Sequence, residues 1–308
     1  MATTTSITTT YAGEFAGKYI AAALLSGVTL DKGMIEIKPN VKYKEVIKRI
    51  ATNDIVKNAT CDFDPTSTVT LDERIIQPEE FQVNLQLCKK DFRSDWEAVQ
   101  MGYSVYDNLP PSFSDFLIAH VAEQVAQRIE TNIWSGVNAT AGQFDGFSTL
   151  FAADASVIDV AAANVNAANV IEELGKVIDA IPSTIYGKED LAIFVPQNVA
   201  RAYVRALGGF GTSGLGAQGV DNKGTMWYGQ GDLFFDGVKI NMVNGLASNK
   251  MVAAQKSNLY FGTGLMSDAN EVKLLDMGDL DGSQNVRVIM RFTAGIQYGF
   301  GSEIVYYA

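Results

Sequence analysis

Residues 208–216 read GGFGTSGLG, and from Gly209 the glycines fall at the spacing G-x-G-x-x-G. That spacing lets a backbone approach a dinucleotide pyrophosphate, with the N-terminus of a helix supplying amide donors. The chemistry also requires a strand before the first glycine and a helix opening at the last. Here the order is reversed. An amphipathic helical pattern, QNVARAYVRAL, precedes the glycines, and LGAQGVDNKGTMWYGQGD follows them without a helical period. The run reads as a close-approach loop and not as a nucleotide cradle.

The other chemically suggestive residues each lack a second partner. His120 is the only histidine, it sits inside a long helical pattern, and no G-x-S-x-G elbow supplies a serine for it to activate. It reads as a packed or surface residue of that helix. Glu79 and Glu80 are adjacent, so on a strand they point to opposite faces and are expected to be solvated charges on a projecting hairpin. Asp279–Gly282 (DLDG) opens like a calcium loop, but the remaining ligand positions are missing, which leaves a turn between strands. The two cysteines, Cys61 and Cys88, form no C-x-x-C pair. They are expected to be reduced thiols, and structural zinc is not expected. No catalytic, cofactor-binding or metal-ligating residue is therefore assigned, and no enzyme activity is expected.

Composition narrows the classes further. A chain of 308 residues with 47 % hydrophobic residues has the material for one large domain or two medium ones. Its formal net charge of −11 argues against a surface that binds by neutralising nucleic-acid phosphates. The apolar run from Tyr19 to Leu25 is too short to span a bilayer. A threonine-rich tract and Glu14 stand where a signal peptide would carry positive charge, so a soluble intracellular product without a membrane partner is expected.

The elements that must position these residues follow from periodicity. Residues 1–34 are small and polar and read as an arm with no core of its own. Residues 35–92 read as a long β-hairpin. One limb, EIKPNVKYKEVIKRIATNDIVKN, is rich in lysine and arginine. The other contains TVTLDERIIQPEEFQVNLQL, where Phe81, Val83, Leu85 and Leu87 alternate with polar residues. Pro110–Gly136 reads as a long helix with Ser112 or Ser114 as N-cap. Its apolar stripe is Phe113, Leu117, Val121, Val125, Ile129 and Ile133, with Ile118, Ala122 and Ala126 beside it. A second amphipathic helix places Val170, Leu174, Val177 and Ile181 inward. Leu191–Val195 then reads as a buried strand followed by a helix, and from Val238 onward the chain is mainly β. In NVRVIMRFTAGIQY, Val286, Val288, Met290 and Phe292 share one face, and Arg287 and Arg291 the other.

This order of elements resembles the major capsid protein of tailed bacteriophages, the Hong Kong 97 type of shell fold. FQVNLQLCKKDFRSDW, AEQVAQRIETNIWSG with the following GQFDGFSTL, LAIFVPQNVARAYVRAL and the terminal VRVIMRFTAGIQYGFGSEIVYYA carry the resemblance. It implies an α+β fold with an N-terminal arm (1–34), an extended hairpin loop (35–92), and a peripheral domain with a spine helix (93–165). An axial domain (166–270) and return strands of the peripheral domain (271–308) complete it. It also implies a subunit that assembles with itself into hexamers and pentamers, in a virion head that encloses DNA and is assembled in the host cytoplasm. Portal, scaffolding or decoration proteins would be its further partners. The assembly contacts expected from the hairpin are Lys42, Lys44, Lys48, Lys57, Asp72, Glu73 and Arg74. Those expected from the axial loop are Gly209, Gly211, Gly214 and Gly216. No long segment precedes the arm, which implies a separate scaffold or none. Hairpin lysines that could join a covalent cross-link are present, but no matching asparagine and glutamate can be assigned. The alternatives of other kinds are an encapsulin-like compartment shell and a monomeric nucleotide-binding enzyme.

Overall fold

A computed structural model describes residues 27–52, 56–59, 61, 65, 68–88, 111–207, 233–264, 273–278 and 282–308. Most of the arm and the whole glycine run lie outside them. The chain begins with a helical turn α1 (Val28–Asp31) and strands β1 (Glu36–Lys38), β2 (Glu45–Thr52), β3 (Val69–Ile76) and β4 (Glu79–Cys88). Then come α2 (Pro111–Ser135), α3 (Phe147–Ala153), β5 (Ile158–Val160), α4 (Val170–Asp179), β6 (Leu191–Val195) and α5 (Gln197–Leu207). The remainder is β7 (Leu233–Phe235), β8 (Val238–Met242), β9 (Met251–Gln255), β10 (Leu259–Gly262), β11 (Lys273–Asp276), β12 (Asn285–Tyr298) and β13 (Val305–Tyr307).

These residues form two compact units, and α2, β4 and β12 each contribute to both. In the smaller unit, α2 up to Ile129 buries Leu117, Val121 and Val125 with Val288 and Met290 of β12. Val83, Leu87, Leu274 and Phe292 pack against that cluster. Val286, Val288 and Met290 are buried while Arg287 and Arg291 are exposed, the alternation expected of a strand with one core face. β11 pairs antiparallel with this part of β12, and Arg287 donates to Gln86 Oε1 on β4 at 3.1 Å.

The larger unit is built on a six-stranded sheet in the order β5-β13-β9-β6-β8-β7. β6 is buried at every position, as a short apolar run in the middle of a covered sheet must be. Its odd residues Leu191, Ile193 and Val195 share a cluster with Val170, Leu174 and Val177 of α4 and Val199 and Tyr203 of α5. Phe194, on the opposite face, meets Trp134 of α2 with ring centroids 5.0 Å apart. The same unit contains β1 parallel to β10, β10 antiparallel to residues 295–298 of β12, and the two-stranded ribbon β2–β3.

Several expectations are corrected. α2 begins at Pro111, so Ser112 and Ser114 lie inside its first turn and are not caps. A proline at the first helical position has its φ preset and no amide to leave unpaired. Ala122 is exposed, because the buried stripe at this end is only as wide as the strands beneath it. Glu79 is not a hairpin charge: it opens β4, which leaves the ribbon to pair with β12, and it accepts from Asn138 Nδ2 at 2.6 Å. Cys61 and Cys88, by contrast, are both free, in line with the reduced thiols expected.

The C-terminal turn of α2 lies tightly against the loop at Gly245. A Cβ at Gly245 would stand 2.0 Å from the Glu130 carbonyl oxygen, and that carbonyl belongs to the helix backbone and cannot swing aside. Gly245→Ala is expected to destabilise the subunit by about 1–3 kcal/mol, read as a lowered midpoint in chemical denaturation.

Candidate functional site

β2 and β3 pair in register from Glu45↔Ile76 to Thr52↔Val69. Residues directly opposite share a face, so Val46, Ile75, Lys48, Glu73, Ile50, Leu71, Thr52 and Val69 lie on one side of the ribbon. That side is mostly apolar and uncovered: Val69 is 62 % exposed, Ile50 63 % and Leu71 73 %, with Val46 and Ile75 also exposed. Lys48 and Glu73, directly opposite one another, are the charged pair in the middle of it. A two-stranded ribbon with an open apolar face gains free energy wherever another surface covers it.

The other face is attached to the body of the same unit. Ile47 and Ile76 are buried with Val41 and pack on Tyr260. Beside this apolar seam, Arg49 pairs with Asp72 across the ribbon and donates from Nη1 to the Gly299 carbonyl at 2.9 Å. Arg74 pairs with Asp154, just past the end of α3, and its guanidinium lies 4.1 Å from the centre of the Tyr298 ring. Tyr298 Oη donates to the same Asp154 oxygen at 2.6 Å, and Ser156 N donates to the other oxygen at 2.9 Å. Gln297 Nε2 donates to the Ile75 carbonyl at 3.0 Å.

The electrostatics follow from this geometry. Burial pushes the Asp154 carboxyl upward, but hydrogen bonds from Tyr298, Arg74 and Ser156 outweigh it and hold the group well below the usual carboxylate range. Burial, reinforced by the hydrogen bond to Asp154, pushes the Tyr298 hydroxyl up to about 12. Burial lowers Arg49, and the neighbouring positive charge of Arg74 lowers it further.

The residues expected at an assembly surface divide accordingly. Lys48 and Glu73 stand on the apolar face. Lys42 and Lys44 are exposed on the approach to β2, Lys44 lying over the Tyr43 ring, and Lys57 is exposed at the tip. Asp72 and Arg74 face the other way and are engaged within the chain. Gly209, Gly211, Gly214 and Gly216 lie outside the described residues. His120 is a half-buried residue of α2. Sequence reasoning misses the apolar row Val46, Ile50, Val69, Leu71 and Ile75, because charged residues are interleaved with it along both strands. Its signal is the two-residue period of Val69, Leu71 and Ile75 through VTLDERII. Among the described residues no group of His, Cys, Asp or Glu side chains could hold a metal ion, and no helix is long and apolar enough to cross a membrane.

No protein-family model matches the sequence, and no curated protein matches it. Solved structures do. The chain is similar to the capsid of an empty GTA particle, with a TM-score of 0.61, 12 % identity, and 94 % of this chain and 91 % of that one covered. It is similar to the capsid of Myoviridae phage XM1, with a TM-score of 0.59, 11 % identity and 94 % of both chains covered. A chain of Gordonia phage Cozz matches with a TM-score of 0.60 at 11 % identity, over 94 % of this chain and 89 % of that one. The chain has the Hong Kong 97-type capsid fold. The α+β class and the shell fold implied by the sequence are those observed, and identities this low carry the fold alone. Of residues 35–92, the ribbon β2–β3 is the part that pairs with itself, while β1 pairs with β10 and β4 with β12.

Two outcomes are expected. Ile50→Ser combined with Leu71→Ser removes apolar surface that the subunit does not bury, so the denaturation midpoint of the isolated subunit should fall by less than about 1 kcal/mol equivalent. The depressed Asp154 carboxyl contributes stability that is present above the ordinary carboxylate pKa of about 3.9 and is lost only as pH falls through its lower folded value. Carbon-detected NMR titration should therefore show Asp154 still ionised at pH 4, where exposed carboxylates are half protonated.

Proposed function

We propose that this chain is a capsid shell protein whose copies assemble into hexamers and pentamers of an icosahedral phage head that encloses DNA. The observation that carries this reading is the likeness to capsid structures along 94 % of the chain. The exposed apolar face of β2–β3 supports it, because a ribbon that leaves one face uncovered in the single subunit gains that burial against a second copy.

In this reading the hairpin is an intersubunit clamp. Val46, Ile50, Val69, Leu71 and Ile75 supply its apolar contact, and Lys48 and Glu73 its register. Lys42, Lys44 and Lys57 lie at its margins and tip, while Asp72 and Arg74 brace it from within. Residues 166–270 act as the axial domain, and 93–165 with 271–308 as the peripheral domain. Gly209, Gly211, Gly214 and Gly216 form the loop at the capsomer centre, where glycine permits crowded backbones and positive φ. Of the arm expected over residues 1–34, the part from α1 onward packs on its own subunit, and the part ahead of α1 reaches a neighbouring subunit. Portal, scaffolding or decoration proteins are further partners, and the protein resides in the virion after assembly in the host cytoplasm. It works by assembling and not by catalysis. A net charge of −11 suits a container that holds DNA without adhering to it.

The test is assembly of the purified chain, alone or co-expressed with the proteins encoded beside it. Size-exclusion chromatography and negative-stain microscopy should show capsomers or closed shells, and a strictly monomeric protein under all these conditions would sink the proposal. Particles filled with a cargo protein in place of DNA would point to a compartment shell. Calorimetry with common nucleotides should show no saturable heat, and micromolar binding would restore the enzyme alternative.

A further inference from the structure

The ribbon β2–β3 is joined to the body of its unit by two kinds of contact with different physical consequences. The apolar seam of Val41, Ile47, Ile76 and Tyr260 excludes water but has little directionality, so it tolerates rotation of the ribbon about its base. The polar contacts are directional. Arg74 is positioned three ways at once: by its ion pair to Asp154, by stacking on the Tyr298 ring, and by the strand it belongs to. Tyr298 is itself fixed by its hydroxyl on Asp154, and Asp154 by the Ser156 amide. One carboxylate thus orients both the guanidinium and the ring on which it lies.

We infer that Asp154 is a positioning residue that sets the angle at which the hairpin leaves the subunit, acting through Arg74 and Tyr298. This rests on the reading of the hairpin as an intersubunit clamp. Without the Asp154 charge, Arg74 loses its ion pair to the body of the unit, and the Tyr298 hydroxyl loses the charged acceptor that fixes the ring beneath the guanidinium. The ribbon is then seated by the apolar seam, the Arg49 bond to the Gly299 carbonyl and the Gln297 bond to the Ile75 carbonyl. Its angle is less narrowly set, while its own strand pairing, which does not involve Asp154, persists. A capsomer needs the same hairpin angle in every copy, since a closed ring repeats any angular error at each interface. Asp154 therefore acts on assembly without touching a neighbour.

The experiment measures angle and assembly separately. Spin labels at Thr70→Cys on the ribbon and Ser183→Cys in the body, in a Cys61→Ser, Cys88→Ser background, report their distance distribution in the unassembled subunit. Asp154→Asn is expected to broaden that distribution at least about twofold while circular dichroism stays native, as for an element released from a directional tether. Tyr298→Phe keeps the ring and removes only the hydroxyl, so it serves as the second variant should Asp154→Asn fold poorly, and it should broaden the distribution less. Asp154→Glu, which restores the charge, should return most of the wild-type width. Particle yield and size homogeneity should fall in the order wild type, Tyr298→Phe, Asp154→Asn. An unchanged distance distribution in both variants would overturn the inference, and so would a broadened one accompanied by normal particles. A wild-type chain that forms no particles would remove the shell reading, whereas the distance measurement would still decide whether Asp154 holds the hairpin.

Discussion

The indole of Trp134 is fully buried, and from it the larger unit can be traced in both directions. Its ring lies 5.5 Å from Phe147 of α3 and 5.0 Å from Phe194 of β6, so one side chain joins the end of the long helix to the next helix and to the central sheet. Its Nε1 donates to Thr29 Oγ1 at 2.8 Å, and Thr29 in turn donates from Oγ1 to Glu130 at 2.6 Å and from its amide at 3.0 Å. The first described turn of the chain is thereby fastened to the helix. Burial raises the Glu130 carboxyl even though these donors oppose it, so the contact carries a desolvation cost that only a specific set of partners offsets.

From the same point an aromatic series runs outward. Phe147 stacks on Phe151 at 5.5 Å, and Phe151 meets Tyr298 at 5.1 Å and Tyr306 at 5.8 Å, both edge-on. Tyr298 is the ring beneath Arg74. Core packing and hairpin attachment are therefore one continuous structure: the rings that fill the interior also present the surface on which the guanidinium rests. Interiors packed at crystal-like density transmit displacement poorly tolerated by their neighbours. A shift at Phe151 would be felt at the base of the ribbon as well as in the core.

Legibility in the sequence follows the same division. β12 could be read to the residue, and α4 on its inward face, because a regular period leaves one arrangement that buries the apolar residues. β6 could be read because a short uninterrupted apolar run fits a covered strand. The basic character of the first limb was also legible, and the register places its Lys48 against Glu73 and its Arg49 against Asp72. Three-residue strands such as β5 and β7 were not, since they exist because a neighbouring strand pairs with them and not because of any period of their own. The use of Arg74 was hidden for a related reason. Its partner lies 80 residues away, and no local pattern distinguishes an arginine that braces a hairpin from one that meets another subunit.

A fold shared at 11–12 % identity must depend on features that many sequences can satisfy. The sheets and helices here meet that condition: their cores ask for apolar residues of suitable volume at the right period, and such cores accept wide substitution. The polar contacts do not. Asp154 must accept from Arg74, Tyr298 and Ser156 together, and a change in any one leaves a partly buried charge less well matched. The ribbon also differs from the core in what completes it, because its apolar row is still uncovered when the subunit is finished. The subunit's architecture thus rests on permissive packing, and the presentation of the uncovered apolar ribbon β2–β3 rests on a few exacting contacts at the base.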